Sequence, residues 1–138
     1  MANSHIEVYI HLIWATSNRQ PLISEDIEKQ LYDSIRAKCR ELQSHLIAIG
    51  GTRNHIHLLI RLPSTVPLAK ILGEVKGSSG HFVTHVLQKP VFKWQNGSGA
   101  FSVSPREMGM LINYIENQKQ HHSEKTFRLE WEKIENDE

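Results

Sequence analysis

The sequence predicts an α+β domain, and three observations carry that expectation. Two stretches around residues 5–14 and 53–62 alternate apolar and polar side chains, the period of a half-buried strand. Between and after them, apolar residues recur at helical spacing. The breaks are short and rich in Gly, Pro, Ser and Asn, with no linker long enough to divide the chain. A length of 138 residues then corresponds to one core, with 39% hydrophobic and 22% charged residues as in an ordinary globular protein. The formal net charge of +1 gives no global electrostatic argument for a nucleic-acid partner, so any such surface must be local. No signal-peptide pattern opens the chain, and no apolar run approaches the roughly 20 residues of a membrane span. The single cysteine, Cys39, excludes an intramolecular disulfide and a cysteine-based zinc cage, and a cytoplasmic location is expected.

In "HIEVYIHLIW" (5–14), Ile6, Val8, Ile10, Leu12 and Trp14 share one face, and His5, Glu7, Tyr9 and His11 the other. Ser24 followed by Glu25 and Asp26 is a helix start, and Ile27, Leu31, Ile35, Cys39 and Leu42 give an amphipathic helix over 25–43. "HLIAIG" (45–50) is a second strand, with Gly50 and Gly51 as the turn into a third. There Ile56, Leu58, Ile60 and Leu62 oppose His55, His57, Leu59 and Arg61. A second helix starts near Pro67 with a stripe of Leu68, Leu72, Val75, Ser79, Phe82 and Val86. Its three glycines, Gly73, Gly77 and Gly80, each cost about 1 kcal/mol relative to Ala. They are read either as a face for close backbone approach or as tolerated irregularity. "VFKWQNGSGAFSVS" (91–104) reads as strand, glycine turn and second extended segment. Ser104-Pro105-Arg106-Glu107 is a capping box opening a last helix over 105–122. The order strand–helix–strand–strand–helix–strand predicts a ferredoxin-like sandwich: an antiparallel sheet with two packed helices, plus an added C-terminal helix. Residues 1–122 form the expected domain, and 123–138 a charged tail. Its acids (Glu130, Glu132, Glu135, Asp137, Glu138) would repel nucleic acid locally.

One sheet face is thereby core, and the other carries Tyr9, His11, His55 and His57. Two histidines at i and i+2 on a strand stand about 6–7 Å apart at the backbone, and their imidazoles can converge on one ion at about 2.1 Å per bond. The pair alone reads better as a partly exposed, hydrogen-bonded polar face, since a divalent ion needs more ligands than two. Tyr114 and Gln118, at i and i+4, share one face of the last helix. If the Gln118 oxygen completes a site begun by His55 and His57, Tyr114 is held beside the ion. Taken singly, Tyr114 is also a plausible core aromatic and Gln118 a solvated residue.

The combination resembles the insertion sequence 200-like transposase family, the single-tyrosine HUH transposases that include the REP-associated tyrosine transposases. The His-hydrophobic-His signature is His55-Ile56-His57, and the Tyr-x-x-x-Gln signature runs from Tyr114 to Gln118. "HLIWATSNRQPLI", "GGTRNHIHLLI", "GAFSVS" and "YIENQKQHHSEKTF" are similar to family stretches in the right order, so the resemblance spans nearly the whole chain. It implies a metal-dependent DNA transposase acting on single-stranded DNA with hairpins. Mg²⁺ or Mn²⁺ would be held by His55, His57 and Gln118, with Tyr114 as the nucleophile. It also implies a homodimer with the tyrosine helix contributed in trans. His11 and His121 are candidates for the general base. Arg53, Arg61 and Lys76, with Lys70, Lys89 and Lys93, are candidate DNA-binding cations, and Trp94 is read as a stacking or, better, a core residue. The alternative is a non-catalytic or domesticated hairpin-binding protein of the same fold.

Overall fold

Alternate side chains of the first strand, β1 (Tyr9–Ala15), divide the molecule into two layers. The computed structural model describes residues 4–126 and 128–134. β1 lies at the centre of a four-stranded sheet with β2 (His45–Gly51), β3 (His55–Arg61) and β4 (Gly99–Val103). The order is β2-β3-β1-β4, every pair antiparallel, which is the expected α+β sandwich. Ile10, Leu12 and Trp14 of β1 and Ile56, Leu58 and Ile60 of β3 point to one side. There they meet α1 (Glu25–Glu41) and α2 (Leu68–His81) through Ile27, Leu31, Ile35, Ile71 and Val75. Each such fully buried aliphatic side chain contributes about 1.5–3 kcal/mol of transfer free energy. The opposite face is covered by α3 (Met108–Glu116), whose Leu111, Tyr114 and Ile115 pack on Leu59 and Ala48. A short α4 (Gln118–Ser123) follows, and no helix among the described residues is long and apolar enough to cross a membrane.

Several local expectations are corrected. Residues 5–8 lie outside β1, with Ile6 and Val8 exposed, because the neighbouring strands end where Tyr9 pairs with Arg61 and Val103. Gly50 and Gly51 end β2, and the turn is 52–54. What these glycines supply is room: a Cβ on Gly50 would lie 2.0 Å from the Ile115 carbonyl oxygen, so α3 crosses β2 there in close contact. The buried stripe of α2 is Ile71, Val75, Ser79 and Val83. It advances in steps of four and runs into a π-helical turn at Phe82–Val86, which leaves Val86 exposed. Residues 91–98 are irregular apart from one bridge between Thr16 and Trp94. Trp94 belongs to the core, its ring edge-on to Trp14 at 5.8 Å and its indole N–H donating to Ser79 Oγ at 3.0 Å. Gly73 and Gly77 face an open groove beside it, where an added Cβ would meet nothing within 4 Å.

The expected last helix is three pieces. Glu107 accepts from the Ser104 amide at 3.3 Å in the capping box, opening a 3₁₀ turn (Pro105–Glu107) that runs into α3. The backbone then breaks at Asn117 (φ −115°, ψ 33°) before α4. The Asn117 side-chain amide donates back to the Asn113 carbonyl at 2.8 Å, a local bond of the kind that competes with helix continuation.

Candidate functional site

β3 places His55 and His57 on the sheet face away from α1 and α2, and α3 closes over them, so both are buried at 3% and 0% exposure. Each ring is oriented from behind. His57 Nδ1 lies 2.8 Å from His11 Nε2, with the two rings stacked at 5.1 Å. His55 Nδ1 lies 2.9 Å from Asn54 Oδ1 and 2.8 Å from Thr52 Oγ1, both supplied by the turn between β2 and β3. Such contacts set which nitrogen an imidazole presents forward.

Gln118 enters from the far side of the break at Asn117. Its Nε2 donates to the Tyr114 carbonyl at 3.2 Å, which turns its Oε1 to His55 Nε2 at 3.1 Å. Tyr114 is also buried, its ring edge-on to His57 at 5.8 Å. The four residues of the two sequence signatures are therefore brought together within one chain.

A third contribution comes from the segment 128–134, which passes back across β4. A Cβ at Gly99 would lie 2.0 Å from the Lys133 carbonyl oxygen, so this path needs glycine at 99. Trp131 packs edge-on against Tyr114 at 4.9 Å. The Tyr114 hydroxyl accepts from the Arg128 amide at 2.9 Å and donates to the Glu132 carboxylate. That carboxylate lies 3.3 Å from His55 Nε2, 3.2 Å from His57 Nε2 and 3.6 Å from His122 Nε2.

The electrostatics follow from this crowding. Burial, and then the bond to Glu132, push the Tyr114 hydroxyl up to about 12. Burial alone would raise Glu132, but the surrounding imidazoles and the Tyr114 hydroxyl outweigh it and hold the carboxyl well below the usual range. Burial, and then the neighbouring His57, lower His11 to about 3, and burial lowers His57 as well. The donors present suit a divalent cation. His55 Nε2 lies 3.1 Å from Gln118 Oε1 and 3.3 Å from Glu132 Oε1, and in the tautomer whose Nδ1–H donates to Asn54 its lone pair faces both oxygens. Lone pairs converging in a buried space call for positive charge between them.

Two members of this cluster escaped the sequence reading. His122 sits four residues beyond Gln118, so the i, i+4, i+8 series Tyr114–Gln118–His122 marks it, whereas the expected candidate on this helix is His121. His121 instead meets Thr126 Oγ1 at 2.9 Å, its ring tilted at 32° beside Tyr114 at 4.8 Å. Glu132 was read as one repelling acid of the tail, and no periodicity marks it. Glu130 is exposed, while Glu135, Asp137 and Glu138 lie outside the described residues.

The candidate cations are not gathered. Arg53 pairs with Glu25 at 2.9 Å beside the β2–β3 turn. Arg61 closes the other end of β3, about 20 Å away by strand rise. Lys76 lies on α2, across the sheet from the histidines, and donates to the Asn96 and Gly97 carbonyls at 2.9 and 3.1 Å.

Comparison with known proteins agrees with this architecture. The family model described as "Transposase IS200 like" matches residues 4–118. A crystal structure of a candidate transposase from Deinococcus radiodurans R1 is similar at 23% identity with a TM-score of 0.68, covering 86% of this chain and 95% of that one. A REP-associated tyrosine transposase bound to a REP hairpin is similar at 16% identity with a TM-score of 0.67, covering 88% and 73%. No curated protein matches. With the family model spanning both histidines, Tyr114 and Gln118, the chain belongs to the IS200-like transposase family.

Proposed function

We propose that this transposase cleaves and rejoins single-stranded DNA at hairpin-flanked ends through a 5′-phosphotyrosine on Tyr114. The observation that carries the reading is the buried convergence of Tyr114, His55, His57 and Gln118, with Gln118 Oε1 3.1 Å from His55 Nε2 and the Tyr114 ring 5.8 Å from His57. His55, His57 and Gln118 would hold Mg²⁺ or Mn²⁺, which when bound supplies positive charge for the scissile phosphate and lowers the cost of ionising the tyrosine. Imidazole-rich donors favour Mn²⁺ over Mg²⁺.

The Tyr114 oxygen attacks phosphorus, the P–O3′ bond breaks, and the departing oxygen leaves as a 3′-hydroxyl after taking a proton. The phenol proton leaves toward the Glu132 carboxylate, to which it is already directed. A second 3′-hydroxyl then attacks the phosphotyrosine and restores Tyr114, so bond number is conserved. A hydroxyl held near 12 is a poor nucleophile at neutral pH, which is why the reading needs a cation beside it. Within one chain the Tyr114 ring lies 5.8 Å from His57. The expected homodimer with the tyrosine helix in trans is a separate proposal, read by sedimentation.

The second reading, a hairpin-binding protein without cleavage, draws on one observation. The Tyr114 hydroxyl is engaged on both sides by Arg128 and Glu132. A denaturing gel separates the two. Labelled single-stranded hairpins with Mn²⁺ should form a denaturant-resistant adduct with wild type and none with Tyr114→Phe or His55→Ala. Native-gel binding without any adduct would replace the transposase chemistry with the binding reading.

A further inference from the structure

The structure assigns two more ligands to the cation site: we infer that Glu132 and His122 bind the same divalent ion as His55 and His57, so that the ion clamps residues 128–134 onto the sheet. The inference rests on the metal reading above and extends it to a segment beyond the matched family region, which ends at residue 118.

The separations support it. Two donor atoms bound to one ion at about 2.1 Å are about 3.0 Å apart in octahedral and about 3.4 Å apart in tetrahedral geometry. Glu132 Oε1 lies 3.3 Å from His55 Nε2 and 3.6 Å from His122 Nε2, and Glu132 Oε2 lies 3.2 Å from His57 Nε2. Donor atoms of His55, His122 and Glu132 all fall within 4.8 Å of one another. A second observation concerns the orientation of His57. His57 is fully buried, its Nδ1 is taken by His11, and its Nε2 has no aligned hydrogen-bond partner, yet it points into the cluster. In the tautomer whose Nδ1–H donates to His11, that nitrogen presents a lone pair, as a ligand must.

The path of the segment agrees. Gly99 leaves room for the Lys133 carbonyl, and Trp131 lies against Tyr114, so the carboxylate is delivered by a seated backbone. Ion binding and docking of 128–134 are then linked: whatever stabilises one stabilises the other.

The test uses the full chain and Mn²⁺ alone. Calorimetry should show Mn²⁺ binding to wild type, and Glu132→Gln and His122→Ala should each weaken it at least about 10-fold. Hydrogen exchange of the amides 129–133 should slow on adding Mn²⁺ in wild type and not in Glu132→Gln. Far-UV circular dichroism confirms that each variant is folded, and Glu132→Asp, which keeps the carboxylate, should recover part of the affinity. If Glu132→Gln binds Mn²⁺ as wild type does while His55→Ala does not, the inference is overturned and the His55–His57 site stands. If wild type binds no Mn²⁺, both readings fall.

Discussion

Replacing Gly50 by Ala tests how the tyrosine helix is seated. The new Cβ would lie 2.0 Å from the Ile115 carbonyl oxygen and 2.9 Å from its carbon, both backbone atoms of α3. Real Cβ atoms essentially never approach closer than 3.0 Å, so α3 must withdraw from β2 by at least about 1 Å. Neither partner is a flexible side chain that can swing aside. Overpacking of this kind costs about 1–3 kcal/mol. With an unfolding entropy of about 2.1 cal/mol/K per residue, that cost lowers Tm by about 3–10 °C. Because Ile115 is adjacent to Tyr114, the same displacement lifts the tyrosine from His57, and a misplacement of about 1 Å can slow chemistry on the order of 100-fold. Thermal unfolding and the rate of DNA adduct formation are measured side by side. A Gly50→Ala protein that melts within 1 °C of wild type and reacts at the same rate would refute the close approach of α3 as the reason for this glycine.

Gly73→Ala and Gly77→Ala should act oppositely. An added methyl meets nothing within 4 Å, so each gains helix propensity worth up to about 1 kcal/mol, read as a higher urea midpoint; a lower midpoint would mean that this face is covered. Acid should destabilise the metal-free protein through His11. In the unfolded chain it takes a proton near pH 6.5, whereas in the fold it does so only near 3, so the unfolded state binds more protons between these values and stability falls as pH drops. Glu132, whose folded carboxyl is depressed, acts with the same sign at lower pH, its contribution being lost as it protonates. Urea unfolding in chelator from pH 7 to 4 should therefore give a shallower slope for His11→Gln than for wild type, and an unchanged slope would count against a buried neutral His11.

Local periodicity made much of this protein legible. The two-residue alternation of β1 and β3 assigned Leu12, Trp14, Ile56 and Leu58 to one face and His11, His55 and His57 to the other, since a strand offers only two faces. The stripe Ile27–Leu31–Ile35–Cys39 likewise gave α1 its buried side. The four-residue step from Tyr114 to Gln118 survives the break at Asn117 because Gln118 bonds back to the Tyr114 carbonyl. Where a residue's role depends on an element remote in sequence, local patterns were silent or misleading. Gly50 and Gly51 look like a turn, and only the crossing of α3 shows that Gly50 is needed for a close backbone approach. The candidate cations Arg53, Arg61 and Lys76 are likewise placed by the fold, at the β2–β3 turn, the far end of β3 and α2.

The sequence by itself determined the layers, the facing of the histidines and the pairing of tyrosine with glutamine, because each follows from spacing along one strand or helix. The tertiary structure alone decided that Glu132, from a stretch with no periodicity, reaches His55, His57 and Tyr114. That contact is made by chain reversal over Gly99, where a missing Cβ lets the Lys133 backbone pass, and such an approach between distant segments leaves no mark in local residue order.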